Sequence, residues 1–255
     1  MTRGREWGRF LEARENAADS YRASHERERR WARRARGAFA IFLSSSTEPF
    51  LPQESRLGIT RRSLEAMRDA PPDRLIVQTH SHRVAEHAEL LRELAAGCEL
   101  RVHISIETDR EALPGLPAHA SSVASRFAAA SALWRAGIVT VVTVSPILPI
   151  ADPERFFARI AECADAVVLD HFIGGDGTPD GRRTRATPLP AAMAAIDPTS
   201  TALDYRDRLV EVAERHLPGQ VGVGIDGFAG RWRTAGAGTH SSRVKRRASD
   251  PRARR

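Results

Sequence analysis

Short apolar runs alternate with stretches of helical periodicity along most of the chain. The apolar runs lie at 38–43, 74–79, 100–107, 138–145, 166–170 and 221–225. Helical patterns fall at 60–69, 83–96, 121–136 and 152–163, after a charged helical lead-in over 5–36. Strands and helices that alternate in this rhythm predict βαβ units and a parallel sheet, so the expected fold class is α/β.

The run at 100–107 distinguishes a barrel from an open sheet. Its apolar positions, Val102, Ile104 and Ile106, alternate with the polar positions His103, Ser105 and Glu107. In a sheet covered by helices on both faces, such a polar row would be costly to bury. Facing the lumen of an incompletely filled barrel, it can form hydrogen bonds with a ligand or with water. The alternation therefore favours a partial barrel.

The C-terminal part of the chain departs from this rhythm twice. Residues 174–199 are rich in glycine and arginine, and we expect a long loop there that helps to build a site. From Arg231 to Arg255, nine Lys and Arg residues accompany only Asp250, whereas 1–230 carry thirty basic and 31 acidic residues. We expect one domain over 1–230 and a disordered basic tail over 231–255. The tail either solubilises the protein or contacts nucleic acid through phosphates, without sequence choice.

Composition narrows the cellular setting. No run of about 18 apolar residues is present, so we expect no membrane span. The first residues, 1–5, lead into no apolar segment that would mark a secretory signal. The two cysteines, Cys98 and Cys163, are far apart, which argues against a disulfide framework and fits a reducing cytosol. We therefore expect a cytoplasmic protein.

Polar side chains gather at the predicted strand ends and suggest one enzymatic class. His80 and His82 have the spacing of a metal-binding pair, and His103, Glu107 and the Asp170-His171 pair follow or lie on other strands. A metal-dependent barrel hydrolase, with Asp170 as the base, is one hypothesis from this pattern. A histidine that packs in the core or lies on the surface is the more common case, and a non-catalytic degenerate barrel is a further alternative.

Several segments together resemble one protein family. The segment Ser46-Thr47-Glu48-Pro49-Phe50-Leu51-Pro52-Gln53-Glu54 is similar to a Thr-Asp/Glu-Pro-Tyr-Gln-Pro-x-Glu segment of radical-SAM proteins of the spore photoproduct lyase-like family. The similarity continues through Ile104-Ser105-Ile106, Ser125-Arg126-Phe127, Arg135-Ala136-Gly137-Ile138 and Pro146-Ile147-Leu148-Pro149, and it reaches upstream to Glu6-Trp7-Gly8. It covers about residues 5–230.

The resemblance implies a radical-SAM partial (β/α) barrel. In the complete family, a [4Fe–4S] cluster cleaves S-adenosylmethionine (SAM) reductively to a 5′-deoxyadenosyl radical. Glu48 falls where the family recognises the methionyl group of SAM, and Ser105 falls where a strand residue contacts SAM. The residues that the resemblance assigns to SAM binding are Ser46, Thr47, Glu48, Thr79, His80, Ser105 and Glu107.

The chain also departs from the family pattern. The first strand and the CxxxCxxC cluster loop are missing, so we expect an N-terminally truncated protein that cannot hold the [4Fe–4S] cluster by itself. We interpret Cys98 and Cys163 as small buried residues and not as cluster ligands. His80 replaces a family lysine, and Ser45 falls at the hydrogen-donating cysteine of the lyase. The resemblance names no catalytic residue and no substrate for this chain.

Overall fold

A computed structural model describes residues 4, 11–43, 47–233 and 239–241. One sheet of six strands forms its centre. The strands are β1 (Ala40–Leu43), β2 (Arg74–Thr79), β3 (Glu99–Ser105), β4 (Thr140–Val144), β5 (Ala166–Leu169) and β6 (Val221–Val223). The predicted strands 74–79 and 166–170 agree with β2 and β5 to within one residue.

Helices precede, connect and follow these strands. They are α1 (Ala17–Arg36), α2 (Glu54–Leu57), α3 (Ile59–Asp69), α4 (Ala88–Gly97), α5 (Val123–Arg135), α6 (Pro153–Ala161), α7 (Phe172–Gly175), α8 (Arg182–Arg185), α9 (Leu189–Ile196), α10 (Leu203–His216) and α11 (Gly224–Phe228). Two 3-10 helices, His82–His87 and Pro198–Thr201, and a hairpin of β7 (Arg231–Arg233) and β8 (Thr239–Ser241) complete the elements.

Local sequence explains where two of the connecting helices, α5 and α6, begin. The Ser122 hydroxyl accepts a hydrogen bond from the Ser125 amide at the start of α5. The Asp152 side chain accepts one from the Arg155 amide at the start of α6, and Pro153 occupies the first helical position. Both caps satisfy amides that the first helical turn leaves without a partner.

The order of the strands makes the sheet curve. The spatial order is the chain order, β1 to β6, and every neighbouring pair is parallel. Parallel crossovers are right-handed, so a sheet that always adds its next strand on the same side keeps its helices on one face and curls into a barrel. The α/β prediction with a parallel sheet is confirmed.

The two faces of β3 differ as the alternation predicts. Val102, Ile104 and Ile106 belong to the large core that the sheet forms with its surrounding helices. His103 lies on the inner face, where its ring contacts the rings of Phe42 and Phe228. The inner face is the lumen of a partial barrel.

The hairpin strand β7 closes part of that lumen, so the chain is ordered beyond the predicted domain end at 230. Trp232 is fully buried and packs with Val141 and Val168 from the inner face of the sheet. The Arg101 guanidinium lies 5.7 Å from the centre of the Trp232 ring. Gly230 has a φ of +77°, and a Cβ there would overlap the Arg101 guanidinium. Within the predicted tail, Arg231–Arg233 and Thr239–Ser241 are strands, and the remaining residues of the tail lie outside the described residues.

Two other predictions need correction. The lead-in helix begins at Ala17 and not at residue 5; residues 11–14 are not helical, and 5–10 lie outside the described residues. The segment 174–199 is not one long loop, because α8 and α9 lie within it. Met193 of α9 joins Leu113, Leu148 and Phe172 in a small second core.

None of the described helices combines the length and the apolar character that crossing a membrane requires.

Replacing Trp232 by alanine should destabilise the protein by about 3–5 kcal/mol, because the change leaves a cavity where a fully buried indole packs. Arg231→Ala is the matched control, since Arg231 is exposed and, among the described residues, its side chain pairs with Asp226 at the surface. Urea denaturation followed by circular dichroism measures both variants. Equal midpoints for Trp232→Ala and the control would show that β7 is not part of the cooperative fold.

Candidate functional site

The candidate site is a row of charged side chains at the C-terminal ends of β1, β2 and β3. Strands in a parallel sheet present these ends at one edge, which is where α/β proteins build their sites. Glu48 follows β1, His80 follows β2 and Glu107 follows β3. Arg126, from the buried side of α5, completes the row.

Three groups of the described residues donate hydrogen bonds to Glu48. Its Oε1 accepts hydrogen bonds from the Thr79 hydroxyl at 2.5 Å and from the Phe50 amide at 2.9 Å. Its Oε2 accepts one from the His80 amide at 2.8 Å. Burial raises the pKa of Glu48, but the neighbouring His80 ring, the hydrogen bond from the Thr79 hydroxyl and those from the two amides outweigh it, and the net pKa is lowered. Glu48 is therefore a fixed carboxylate.

His80 lies between two carboxylates. Its Nε2 is 3.2 Å from Glu107 Oε1, and its Nδ1 is 3.8 Å from Glu48 Oε2. The interactions with Glu107 and then Glu48 raise the pKa of His80 to about 9. Because of this raised pKa, the ring carries a positive charge at neutral pH. The side chain is 52% exposed, which places that charge at the mouth of the barrel.

Glu107 and Arg126 form a buried ion pair beneath His80. Arg126 Nη1 donates to Glu107 Oε2 at 2.6 Å and to the Ser105 carbonyl at 2.6 Å. Burial raises the pKa of Glu107, but the hydrogen bond to His80 and the charge of Arg126 outweigh it and lower the pKa to about 2. Charges thus alternate in sign from Glu48 to Arg126, and each anion lies beside a cation.

The other residues predicted to bind SAM occupy different depths. Thr79 is fully buried, where it positions Glu48. The Ser105 hydroxyl is fully buried in the lumen, 3.0 Å from the hydroxyl of Thr143 on β4. Thr47 is exposed on the turn before Glu48, and Ser46 lies outside the described residues.

A second polar pair lies at the neighbouring strand ends. The Ser145 hydroxyl donates to Asp170 Oδ2 at 3.1 Å, and burial raises the pKa of Asp170. Gly175 closes over this carboxylate, since a Cβ on Gly175 would come within 2.7 Å of its atoms.

The structure does not assemble the predicted hydrolase site. His80 lies against Glu48 and Glu107, whereas the His82 ring lies 2.9 Å from the Ser121 hydroxyl. His171 is buried against the Ser200 carbonyl and caps α7. Within the described part of the chain, no three His, Cys, Asp or Glu side chains are arranged to hold a metal ion.

The cysteines lie away from the row. Cys98 and Cys163 both belong to the core between the sheet and its helices. Burial raises the pKa of each thiol to about 11, which disfavours the thiolate that a metal requires. Neither belongs to the candidate site.

Sequence reasoning did not assign Arg126 to the site. Arg126 is 2% exposed, whereas the other buried residues of α5 are small or apolar. An arginine in a helix is usually exposed, so residue type alone gives no sign of this position. The available signal was the polar row on β3, since Glu107 in a barrel wall requires a cation nearby.

No protein-family model matches the sequence, and no curated protein matches it. Solved structures of spore photoproduct lyase, a radical-SAM enzyme, are similar in fold. The lyase complexed with dinucleoside spore photoproduct is 18% identical, with a TM-score of 0.52. A doubly substituted lyase with bound AdoMet and dinucleoside spore photoproduct is 15% identical, with a TM-score of 0.54. Each match covers 81% of this chain and 66% of the lyase chain.

This similarity shows the fold, which is an α/β partial barrel of the radical-SAM type, as predicted. The chain spans slightly less than two thirds of the length of the solved lyase chains. At 15–18% identity, the comparison supports a shared fold and says nothing about the activity of this chain.

The folded protein should lose stability as the pH rises from about 6.5 to 9. His80 binds its proton more tightly in the folded chain, so its contribution to the free energy of unfolding is complete below 6.5 and is lost as the pH passes 9. Urea midpoints across pH 5.5–9.5 test this. In His80→Gln the loss over this interval should be smaller than in wild type, whereas His82→Gln should follow wild type. Parallel profiles for wild type and His80→Gln would contradict the assigned pKa.

Proposed function

We propose that this chain is a radical-SAM-like barrel that binds SAM at the charged row, with Glu48 and His80 holding its amino-acid portion. The observation that carries the proposal is the side-by-side placement of an ionised carboxylate and a half-exposed imidazolium at the mouth of this fold. A solved protein of the same fold has AdoMet bound.

Glu48 can accept one further donor beyond those that the described part of the chain supplies. A carboxylate offers about four acceptor positions, and three are taken by Thr79, Phe50 and His80. An ammonium group is a suitable fourth partner, because hydrogen bonds between charged groups are stronger than neutral ones. The lowered pKa of Glu48 keeps the acceptor charged at neutral pH.

One ring nitrogen of His80, Nδ1, is available to donate a hydrogen bond to a ligand. The 3.8 Å from its Nδ1 to Glu48 is beyond hydrogen-bond distance, while its Nε2 is engaged with Glu107. The Nδ1–H at the barrel mouth can therefore donate to a carboxylate. One acceptor and one cationic donor, side by side, complement the ammonium and carboxylate groups of an α-amino acid.

The buried residues keep this pair in place. Glu107 and Arg126 fix the His80 ring from below, and Thr79 fixes Glu48. Ser105 and Thr143 line the lumen beneath the row, and we keep Ser105 and the exposed Thr47 as proposed SAM contacts. We assign no catalytic residue.

The [4Fe–4S] cluster of the radical-SAM family does not fit the residues of this chain. When bound, such a cluster supplies the electron that cleaves SAM, and it requires three thiolates close together. The sequence contains two cysteines, both buried away from the row with raised pKa values. The proposal for this chain is therefore SAM binding, and radical cleavage would need thiolates other than these.

Glu48→Gln should weaken SAM binding by tenfold or more, since a hydrogen bond between charged groups contributes about 1.5–3 kcal/mol. Calorimetry with SAM and with 5′-methylthioadenosine, which lacks the amino-acid portion, measures the effect. Wild type should prefer SAM, and the variant should lose much of this preference. Glu86→Gln removes an exposed carboxylate elsewhere and serves as the control. Absence of binding at millimolar SAM, or equal affinities for wild type and Glu48→Gln, would refute the proposal.

Anaerobic reconstitution with iron and sulfide should give far fewer than about four irons per chain. The Cys98→Ala, Cys163→Ala double variant should retain the same small background, because neither thiol lies at the site. Iron and sulfide analysis and EPR spectroscopy provide the readout. A full cluster that disappears in the double variant would overturn the assignment.

A further inference from the structure

The outward face of α1 carries a stripe of arginines around an exposed tryptophan. Arg27, Arg30, Trp31 and Arg34 are spaced at i, i+3, i+4 and i+7, which places them on one side of the helix. All four are exposed, and 55% of Trp31 is accessible to solvent. We call these four residues the basic stripe.

The charge of the stripe is largely unneutralised. Residues 27–36 include six arginines and a single acid, Glu28. Glu28 pairs with Arg27, and within the described part of the chain the Arg30 Nε donates only to the backbone carbonyl of Glu26. The Arg34 side chain forms no hydrogen bond or ion pair with any described residue. By contrast, residues 1–230 as a whole are close to neutral.

The opposite face of α1 is already occupied. The Tyr21 hydroxyl donates to the Ala70 carbonyl, and His25 packs between the rings of Tyr21 and Phe39. Arg33 forms an ion pair with Asp73, just before β2. These contacts fix the basic stripe outward, near the N-terminal ends of the strands and away from the charged row.

We propose that the basic stripe binds single-stranded nucleic acid, with the arginines on phosphates and Trp31 stacked on an unpaired base. Arginine on phosphate supplies affinity without sequence choice, and an exposed indole offers the flat surface on which a base stacks. Arg36, whose guanidinium lies 6.0 Å from the centre of the Trp31 ring, adds positive charge beside that surface. The proposal is independent of SAM binding.

The stripe suits nucleic acid better than an anionic membrane. A helix that lies in a lipid interface needs a row of apolar residues facing the lipid. On the outward face of α1, Trp31 is the one large apolar residue, and the inner face packs against the rest of the fold. From Arg27 to Arg34 the stripe spans about 11 Å, enough for a few nucleotides.

Fluorescence anisotropy with labelled twelve-residue oligo-dT and oligo-U, over a range of salt concentrations, tests the proposal. The wild-type chain should bind both with a dissociation constant on the order of 10⁻⁴–10⁻⁶ M. The Arg27→Ala, Arg30→Ala, Arg34→Ala triple variant should bind at least tenfold more weakly. Its salt dependence should be shallower by about two units of slope, because three phosphate contacts are removed.

Trp31→Ala should weaken binding by about tenfold, and Trp31→Tyr should restore most of it, since tyrosine also stacks on bases. The matched control is the Arg56→Ala, Arg92→Ala, Arg135→Ala triple variant, which removes the same charge from exposed positions elsewhere. Unchanged thermal unfolding should accompany all variants.

Three results would overturn the proposal. The first is equal binding by the α1 triple variant and the control triple variant, which would assign binding to another basic segment such as 231–255. The second is no binding of either oligonucleotide at millimolar concentration. The third is Trp31-dependent binding to phosphatidylserine vesicles without binding to oligonucleotides, which would make the stripe a membrane contact.

Discussion

A guanidinium that is almost completely buried constrains the whole mouth of this barrel. Arg126 is only 2% exposed, and a charge at that depth is tolerated when an opposite charge lies against it. Glu107 meets this need, and its second oxygen in turn faces His80. Because removing one member of a buried pair typically costs about 3–5 kcal/mol, the ends of β2 and β3 and the inner side of α5 are held in one arrangement. The buried charge of Arg126 thus sets, through Glu107, the position of His80 at the solvent-exposed mouth of the barrel.

Much of the fold was predictable because strands and helices impose different periods on apolar residues. The alternation along β3 was the most informative signal, since it separated a face packed on helices from a face in the lumen. Part of the charged row followed from the same reasoning. Glu48, His80 and Glu107 end neighbouring parallel strands, so their sequence positions alone bring them to one edge.

Other features depend on packing that leaves no periodic trace. Arg126 lies on a helix whose sequence does not distinguish a buried arginine from an exposed one, and Trp232 lies in a segment whose composition suggests disorder. The short helices α8 and α9 were missed because the segment is rich in glycine, proline and arginine and has too few apolar residues to show a helical period. Met193 of α9 is one of those few apolar residues, and it is buried. His80 and His82 suggested a metal pair by spacing, but a turn after β2 points their rings to different partners.

The burial of Trp232 also sets an order of events during synthesis. The indole fills space beside Arg101 and Val141, residues that leave the ribosome long before it does. Arg101 and Trp232 are separated by about 130 positions, which corresponds to roughly ten seconds of translation. During that interval the inner face of β3 and β4, including His103, has no indole to cover it. The inner face of β3 and β4 therefore stays without its indole until β7 has been made, so this part of the barrel reaches its final packing only late in synthesis.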